Sequence, residues 1–224
     1  MINLVYITKK FDNKIIFQDI NLEISIGEVI GIVAPNGYGK TVLLDIITRK
    51  IIPDKGRILE KYNSNTRVFY DVQKDTFPEK WTVKDLVDFY ASVYAIKIDK
   101  NQLDGLLNRY SLLEFKKKYA TKLSGGQQRK LMMVIINLVS PDLLIMDEPT
   151  AGVDTRSCAL FRQDLGKLKK SVTTIVLTSH NLEDMAHVCT RVVFIGNNQI
   201  AIDCNEINLD GIKSRYDSLY QEEL

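Results

Sequence analysis

A glycine-containing segment follows an apolar run, Val29–Val33, and precedes a predicted helix. It reads Ala-Pro-Asn-Gly-Tyr-Gly-Lys-Thr and fits, with one exception, the spacing of a phosphate-binding loop between a strand and a helix. Glycines let backbone N–H groups turn inward around phosphate oxygens, and the positive end of the helix adds to the attraction. The lysine offers a charge to the β- and γ-phosphates of a nucleotide, and the next hydroxyl is placed to bind Mg²⁺. The predicted nucleotide-binding residues are Ala34, Pro35, Asn36, Gly37, Tyr38, Gly39, Lys40, Thr41 and Val42.

Two residues of this loop are unusual. Ala34 stands where the pattern has its first glycine, and because alanine carries a Cβ we expect ordinary backbone angles at that position. Tyr38 is bulkier than expected for a tight loop. We expect modest effects because Gly37 and Gly39 remain.

A second predicted strand, Leu143–Met146, ends in two carboxylates, Asp147 and Glu148. Parallel sheets place their ligands at the carboxyl ends of the strands. We therefore predict that Asp147 binds Mg²⁺, directly or through a water, and that Glu148 orients and deprotonates an attacking water. Acidic residues at a strand end usually belong to a solvated loop, but the phosphate loop upstream favours the functional interpretation.

A third motif begins a helix with the residues Ser124, Gly125, Gly126 and Gln127. The serine and the glutamine have capping-box spacing, which by itself indicates only a well-capped helix. The two glycines lower helix stability, so they favour a close backbone approach to an anion at the helix N-terminus. Because the chain already has one phosphate loop, this second anion-binding helix start suggests that two chains share each nucleotide.

The elements that must position these residues begin with short apolar or alternating runs, which predict strands. In the first third these strands are Ile2–Thr8, Ile15–Phe17, Leu22–Ile26 and Val29–Val33, followed by a helix from Thr41 to about Arg49. From Thr82 to about Val139 the spacing is mainly helical, with Leu86, Phe89, Tyr90 and Val93 at i, i+3, i+4 and i+7. A strand-rich core with a helical insert predicts two lobes.

The last third alternates strands and helices again. Strands are predicted at Leu143–Met146, Thr173–Thr178, Arg191–Ile195 and Gln199–Ile202, and helices at Thr155 to about Lys170 and Leu182–Val188. This order predicts an α/β fold with a mostly parallel sheet and right-handed crossovers.

The bulk composition excludes several classes of protein. Thirty basic against 28 acidic residues leave a formal net charge of +2, too small a field to indicate nucleic acid or anionic lipid as a partner. Three irregularly spaced cysteines predict neither a disulfide framework nor a metal site. The N-terminus does not read as a signal peptide, and the longest apolar stretch, Leu131–Val139, is well short of the ~20 residues that span a bilayer. We expect a cytoplasmic chain that meets the membrane only through a partner.

Together these motifs resemble the ATP-binding cassette of ABC transporters along nearly the whole chain. The phosphate loop resembles Walker A, Leu123–Gln127 match the family signature without a mismatch, and Leu143–Glu148 resemble Walker B with its catalytic glutamate. The resemblance implies an ATPase with a P-loop NTPase core, an N-terminal antiparallel β subdomain and a helical insert. The catalytic core would comprise residues 1–77 and 140–224, and the helical subdomain with the signature would comprise residues 78–139.

The resemblance also implies roles for residues that carry little signal alone. Gln73 is similar to the Q-loop glutamine, which touches Mg²⁺ or the water and links the core to the helical lobe. Asp154 is similar to the D-loop aspartate, which contacts the opposite subunit, and otherwise would cap a helix. His180 is similar to the switch histidine that reaches the γ-phosphate. Phe11 would stack on adenine, with Tyr6 as the competing candidate and core packing as the alternative for both.

The family resemblance implies partners as well. Two cassettes, expected to be identical chains, would form a head-to-tail dimer with each ATP between Lys40 of one chain and Ser124 and Gly126 of the other. Closure and opening of the dimer would drive transmembrane permease subunits, which would hold the chain at the inner face of the cell membrane. The wording of Asp147–Asp154 and the short C-terminal segment favour an exporter of drugs, peptides or lipids, with import as the alternative.

Two other classes are weighed against transport. Cassette ATPases that act on ribosomes or DNA usually have twin cassettes or long inserts, which this nearly neutral chain lacks. A module that binds nucleotide without turnover is disfavoured by the presence of Glu148 and His180.

Overall fold

The chain begins with a long antiparallel hairpin. The computed structural model describes residues 1–60, 66–72, 77–151, 155–170, 173–205 and 207–220, in which β1 is Ile2–Phe11 and β2 is Lys14–Ile24. The predicted strands at Ile15–Phe17 and Leu22–Ile26 therefore belong to one strand, β2, except that Ser25 and Ile26 lie beyond its end. Register shifts along β1 explain the wrong division, because bulges interrupt the simple alternation of apolar and polar residues.

The remaining strands divide between two sheets. They are β3 (Val29–Val33), β4 (Lys55–Glu60), β5 (Val68–Asp71), β6 (Leu143–Met146), β7 (Thr174–Thr178), β8 (Arg191–Gly196) and β9 (Gln199–Cys204). One sheet is antiparallel, in the order β2-β1-β4, and the other has the order β5-β6-β7-β3-β8-β9. All neighbours in the second sheet are parallel except β8 and β9, which form an antiparallel hairpin. The structure thus confirms an α/β fold with a mostly parallel sheet and an antiparallel N-terminal sheet.

Helices cover the parallel sheet and form the middle of the chain. They are α1 (Lys40–Ile47), α2 (Val83–Val93), α3 (Lys100–Arg109), α4 (Gly125–Val139), α5 (Thr155–Lys170), α6 (Leu182–Val188) and α7 (Leu209–Tyr220). Two short 3₁₀ turns, Leu113–Phe115 and Ala120–Lys122, lie between α3 and α4. Neither β4, whose residues are mostly exposed, nor α7 was predicted from the sequence. None of these helices is long and apolar enough to cross a membrane.

The predicted apolar spacing in α2 is present, but the helix buries only part of it. The buried residues are Val83, Leu86, Val87 and Ala91. Phe89 and Val93 remain 45% and 60% exposed. The ring of Phe89 instead packs edge-on against Trp81 and Tyr90, with centroids 5.1 and 5.4 Å away.

Two apolar layers lie on opposite faces of the parallel sheet. Alternation along β3 sends Val29 and Val33 into a core built with the helices α2 to α7, and Ile30 and Ile32 into a core shared with α1 and the antiparallel sheet. The central strands β6, β7 and β3 are neighbours, so their carboxyl ends meet at one edge. That edge carries the phosphate loop, the acidic pair and His180.

Candidate nucleotide site

The loop between β3 and α1 has the backbone shape expected for phosphate binding. Gly37 and Gly39 both have left-handed backbone angles, with φ of 85° and 89°. A Cβ on Gly39 would lie 2.6 Å from a methyl group of Ile16 and 2.8 Å from the ring of Phe17, so only glycine fits there. Ala34 is buried and is not among the described residues with positive φ, which confirms the expectation of ordinary backbone angles at that position.

The bulk of Tyr38 is accommodated outside the phosphate-binding turn. Its ring packs edge-to-face on Tyr220 of α7, with centroids 5.6 Å apart and planes at 82°. The hydroxyl of Tyr220 in turn donates to the carbonyl of Ile195 at 2.6 Å. The loop is therefore supported by α7, a helix that was not predicted from the sequence.

Lys40 is buried inside the loop. Its ammonium group donates to the carbonyls of Ala34 at 2.9 Å and Pro35 at 3.2 Å, and lies 3.4 Å from Oε1 of Glu148. Burial lowers the pKa of Lys40, and the neighbouring carboxylate of Glu148 acts in the opposite direction. Phosphate oxygens of a nucleotide would supply the negative charge that this confined cation favours.

Asp147 is held by two threonine hydroxyls. Thr41 donates to Oδ2 and Thr178 donates to Oδ1, each at 2.6 Å. A hydroxyl and a carboxylate are hard oxygen ligands of the kind that Mg²⁺ takes together with nucleotide phosphates. No cluster of three or more His, Cys, Asp or Glu residues in the described parts of the chain makes a metal site. This donor set fits Mg²⁺ bound jointly by protein and nucleotide.

Glu148 and His180 face each other beside Lys40. Nε2 of His180 lies 2.5 Å from Oε1 of Glu148, and the glutamate is only 9% exposed. The backbone of Glu148 is left-handed, with φ of 49°, which is uncommon outside glycine. A small pocket of about 100 Å³ opens here, lined by Glu148, Thr150, Ala151, Ser179, His180 and Asn181. It offers room for water next to a carboxylate.

The structure adds one residue to this site that the sequence analysis missed. Thr178 is fully buried and bonds both Asp147 and the backbone N–H of Glu148, the latter at 2.9 Å. The available signal was a threonine at the last position of a strand whose three central residues are apolar, directly before Ser179 and His180.

Of the two aromatic candidates for adenine, Phe11 lies at the end of the hairpin that adjoins the phosphate loop. It pairs with Lys14, which lines a pocket of about 260 Å³ together with Gly37 and Tyr38. The ring is 44% exposed, with the ammonium of Lys9 5.1 Å from its centroid. Tyr6 lies five residues earlier in β1 and is 64% exposed.

The signature segment forms the predicted capping box at the start of α4. Ser124 N–H donates to Oε1 of Gln127 at 3.0 Å, and Gln127 N–H donates to Oγ of Ser124 at 3.3 Å. Ser124 and Gly125 are exposed, Gly126 is half-buried, and a Cβ on Gly125 would meet nothing within 4 Å. The two hydrogen bonds of this capping box are local to the start of α4.

The remaining predicted site residues differ in their exposure. Asn36 is exposed, Pro35 is half-buried and Val42 packs against the core beneath α1. Gln73 and Asp154 lie outside the described residues.

Comparison with known proteins shows the family of this chain. The family model described as "ABC transporter" matches residues 17–151. The ABC transporter ATP-binding protein YtrB of Bacillus subtilis is 34% identical over 96% of this chain and 75% of its own length. The chain therefore belongs to the ABC transporter family, as an ATP-binding subunit with the ATPase domain of that family.

Two further relatives are named for opposite directions of transport. The zinc import ATP-binding protein ZnuC of Buchnera aphidicola is 28% identical over 88% of this chain and 81% of its own. The Nod factor export ATP-binding protein I of Bradyrhizobium diazoefficiens is 29% identical over 85% of this chain and 66% of its own. A solved ATP-binding subunit of an ABC transporter has the same fold, with a TM-score of 0.85, 21% identity and coverage of 99% and 98% of the two chains.

Proposed function

We propose that this chain binds ATP with Mg²⁺ through its phosphate loop, hydrolyses it with Glu148, and powers an export system whose membrane subunits are separate chains. The observation that carries the proposal is the meeting of Lys40, Asp147, Glu148 and His180 at one edge of the parallel sheet. These groups come from three different strand ends, so their convergence is a property of the fold.

ATP binding would use groups that the loop already presents. Lys40 would exchange its bonds to two loop carbonyls for bonds to phosphate oxygens, and N–H groups of the loop and the start of α1 would surround them. Thr41 and Asp147 would hold Mg²⁺, which would neutralise phosphate charge. Phe11, on the hairpin beside the loop, would stack on the adenine.

Hydrolysis requires an in-line water beside the γ-phosphate. The carboxylate of Glu148 would orient this water and take its proton, and it is already held close to Lys40 and His180. His180 would contact the γ-phosphate side of the site. Gln73 and Asp154 would complete the surroundings, on the resemblance of their motifs alone.

A second chain is needed to close the site. We propose a homodimer in which Ser124, Gly125, Gly126 and Gln127 of one chain contact the nucleotide held by the other. The exposed, glycine-containing tip of α4 supports this arrangement, because bare helix N–H groups attract anions. Residues 78–139 would then move as a helical lobe relative to 1–77 and 140–224.

The direction of transport is a finer proposal. A relative named for import and a relative named for export have nearly the same sequence identity to this chain. The direction is therefore proposed from the residues of the segment Asp147–Asp154. The chain would lie at the cytoplasmic face of the membrane through its permease partners. Co-purification with its membrane subunits, followed by flux measurements in vesicles, would distinguish export from import.

The basic test is nucleotide-dependent stability. Mg²⁺ with ATP at about one hundred times the dissociation constant should stabilise the wild-type chain by about 2.7 kcal/mol. Lys40→Ala should abolish this gain, measured by thermal unfolding with and without nucleotide. Lys50→Ala removes an exposed lysine just beyond α1 and should keep the gain. Absence of any shift in the wild type would contradict the proposed site.

A further inference from the structure

Thr178 occupies a buried position, where a hydroxyl group lowers stability unless it forms hydrogen bonds. It ends β7, whose five residues are all buried, and its own exposure is 0%. Met146 pairs with Leu177 in the register of β6 and β7, so Asp147 and Thr178 are the next residues along two adjacent strands. A buried hydroxyl in such a position must find partners.

The partners of Thr178 are both parts of the proposed catalytic segment. The hydroxyl donates its one hydrogen to Oδ1 of Asp147 at 2.6 Å and accepts from the N–H of Glu148 at 2.9 Å. A hydroxyl has one donor and two acceptor positions, so both bonds form together. The hydroxyl of Thr41 donates to the other oxygen of Asp147. The carboxylate is thereby fixed on both sides.

The bond to Glu148 bears on a strained backbone. Glu148 has φ of 49°, and such angles persist in residues other than glycine only where the surroundings enforce them. Thr178 holds its N–H, and Ala151 N–H donates to its carbonyl at 3.1 Å. In this conformation the side chain of Glu148 reaches both Lys40 and His180.

We propose that Thr178 is a positioning residue for hydrolysis, whose single hydroxyl sets the carboxylate of Asp147 and the backbone of Glu148 at the same time. It does not touch the reacting atoms itself. The inference rests on the proposed function, because positioning matters only if Asp147 and Glu148 perform the roles given above.

The hydroxyl can be tested with variants that differ only in that group. Thr178→Val keeps the shape and removes the hydroxyl, whereas Thr178→Ser and Thr178→Ala both lose the methyl group and differ only in the oxygen. Val and Ala should lower kcat for ATP hydrolysis by at least about 10-fold while KM changes by less than about 3-fold, and Ser should restore kcat to within about 3-fold of wild type.

Thr174→Val is the matched control for general destabilisation. Thr174 is a buried threonine at the other end of β7, and its hydroxyl accepts from the N–H of Gly27 at 3.0 Å. This variant should lose stability to a similar degree and keep wild-type kcat. Equal kcat values for the Ser and Ala variants, or a loss in Thr174→Val as large as that in Thr178→Val, would overturn the proposal.

A measurement without nucleotide separates this inference from the proposed function. Exchange of the Glu148 amide hydrogen, followed by NMR in the nucleotide-free chain, should be slow in wild type and Thr178→Ser and faster in the Val and Ala variants. Unchanged exchange in all variants would overturn the positioning role even if hydrolysis is confirmed. A wild-type chain that shows this exchange pattern but neither binds nor hydrolyses ATP would instead overturn the proposed function and, with it, the catalytic meaning of Thr178.

Discussion

At the scale of single residues, two features of the proposed site lower the stability of the fold. Glu148 adopts a left-handed backbone, which costs roughly 1–2 kcal/mol for a residue with a Cβ. Lys40 is buried where the environment lowers its pKa. Both costs are understandable if the groups gain their full interactions only when nucleotide is bound.

Glu148→Gln is the residue-scale prediction for hydrolysis. Glutamine has nearly the same shape but is a very poor proton acceptor, so kcat should fall by at least about 100-fold, which corresponds to about 2.7 kcal/mol. Stabilisation by Mg²⁺ and ATP should persist, because the phosphate loop is unchanged. Phosphate release and thermal unfolding measure the two effects.

The control for this variant is Glu183→Gln. Glu183 is an exposed glutamate in the first turn of α6, close in sequence to His180 but outside the proposed site. It should keep wild-type turnover. A fall of less than about 10-fold in Glu148→Gln would remove Glu148 from the role of general base.

The chemistry-bearing residues were predictable to different degrees. Lys40, Thr41, Asp147 and Glu148 belong to contiguous motifs next to strongly apolar strands, so the sequence motifs predict them as site residues. Thr178 was not predictable in this way, because its role depends on the register of two strands that are about thirty residues apart in the chain. Such a pairing is a tertiary property with no local pattern.

At the scale of elements, buried strands were easier to predict than partly exposed ones. β3, β6 and β7 are apolar runs buried on both faces and were found within a residue of their bounds. β4 is exposed along most of its length and has no alternation to reveal it. The order of strands in the parallel sheet also follows from crossovers between distant segments, which no local pattern specifies.

One ion pair joins α4, the helix that begins with the signature segment, to the end of β5, which precedes Gln73 in the sequence. Arg129 of α4 contacts the carboxylate of Asp71 at the end of β5, and the Asp71 side chain is only 1% exposed. Arg129 also stacks over the ring of Phe161, 4.9 Å from its centroid. Among the residues that the structure describes, none forms a hydrogen bond with Oδ1 of Asp71 or Nε of Arg129, so the pair is imperfectly satisfied there.

This pair gives the element-scale prediction. Arg129→Ala leaves the Asp71 carboxylate buried and unpaired and should lower the free energy of unfolding by about 3–5 kcal/mol, measured by denaturant titration. Lys130→Ala changes the next residue of the same helix and should have a much smaller effect. The double variant Asp71→Leu with Arg129→Met should recover most of the loss, since apolar replacements of a buried pair are often neutral. A loss below about 1 kcal/mol in Arg129→Ala would contradict this view of the pair.

At the scale of the whole molecule, the two apolar layers cover both faces of the parallel sheet. The polar residues of the proposed site therefore lie at the edge where the carboxyl ends of β6, β7 and β3 meet. The tip of α4 is exposed, and its capping contacts do not reach the chain's own phosphate loop. In the proposed dimer, each chain therefore contributes one half of each nucleotide site. A sequence can reveal both halves as motifs, but only the relation between two molecules brings them together.

Two helix caps of the same kind allow the proposed dimer to be tested. Ser124 and Asp99 each form a capping box, at the starts of α4 and α3, so Ser124→Arg and Asp99→Arg should both cost about 1 kcal/mol of stability. In a Glu148→Gln background, Mg²⁺ and ATP should produce a dimer that sedimentation detects. Adding Ser124→Arg should abolish that dimer while ATP binding to the monomer persists, because the bulky side chain would fill the space for the partner's phosphates. Adding Asp99→Arg should leave the dimer intact, and an unaffected dimer in the Ser124→Arg protein would show that the tip of α4 does not share the nucleotide.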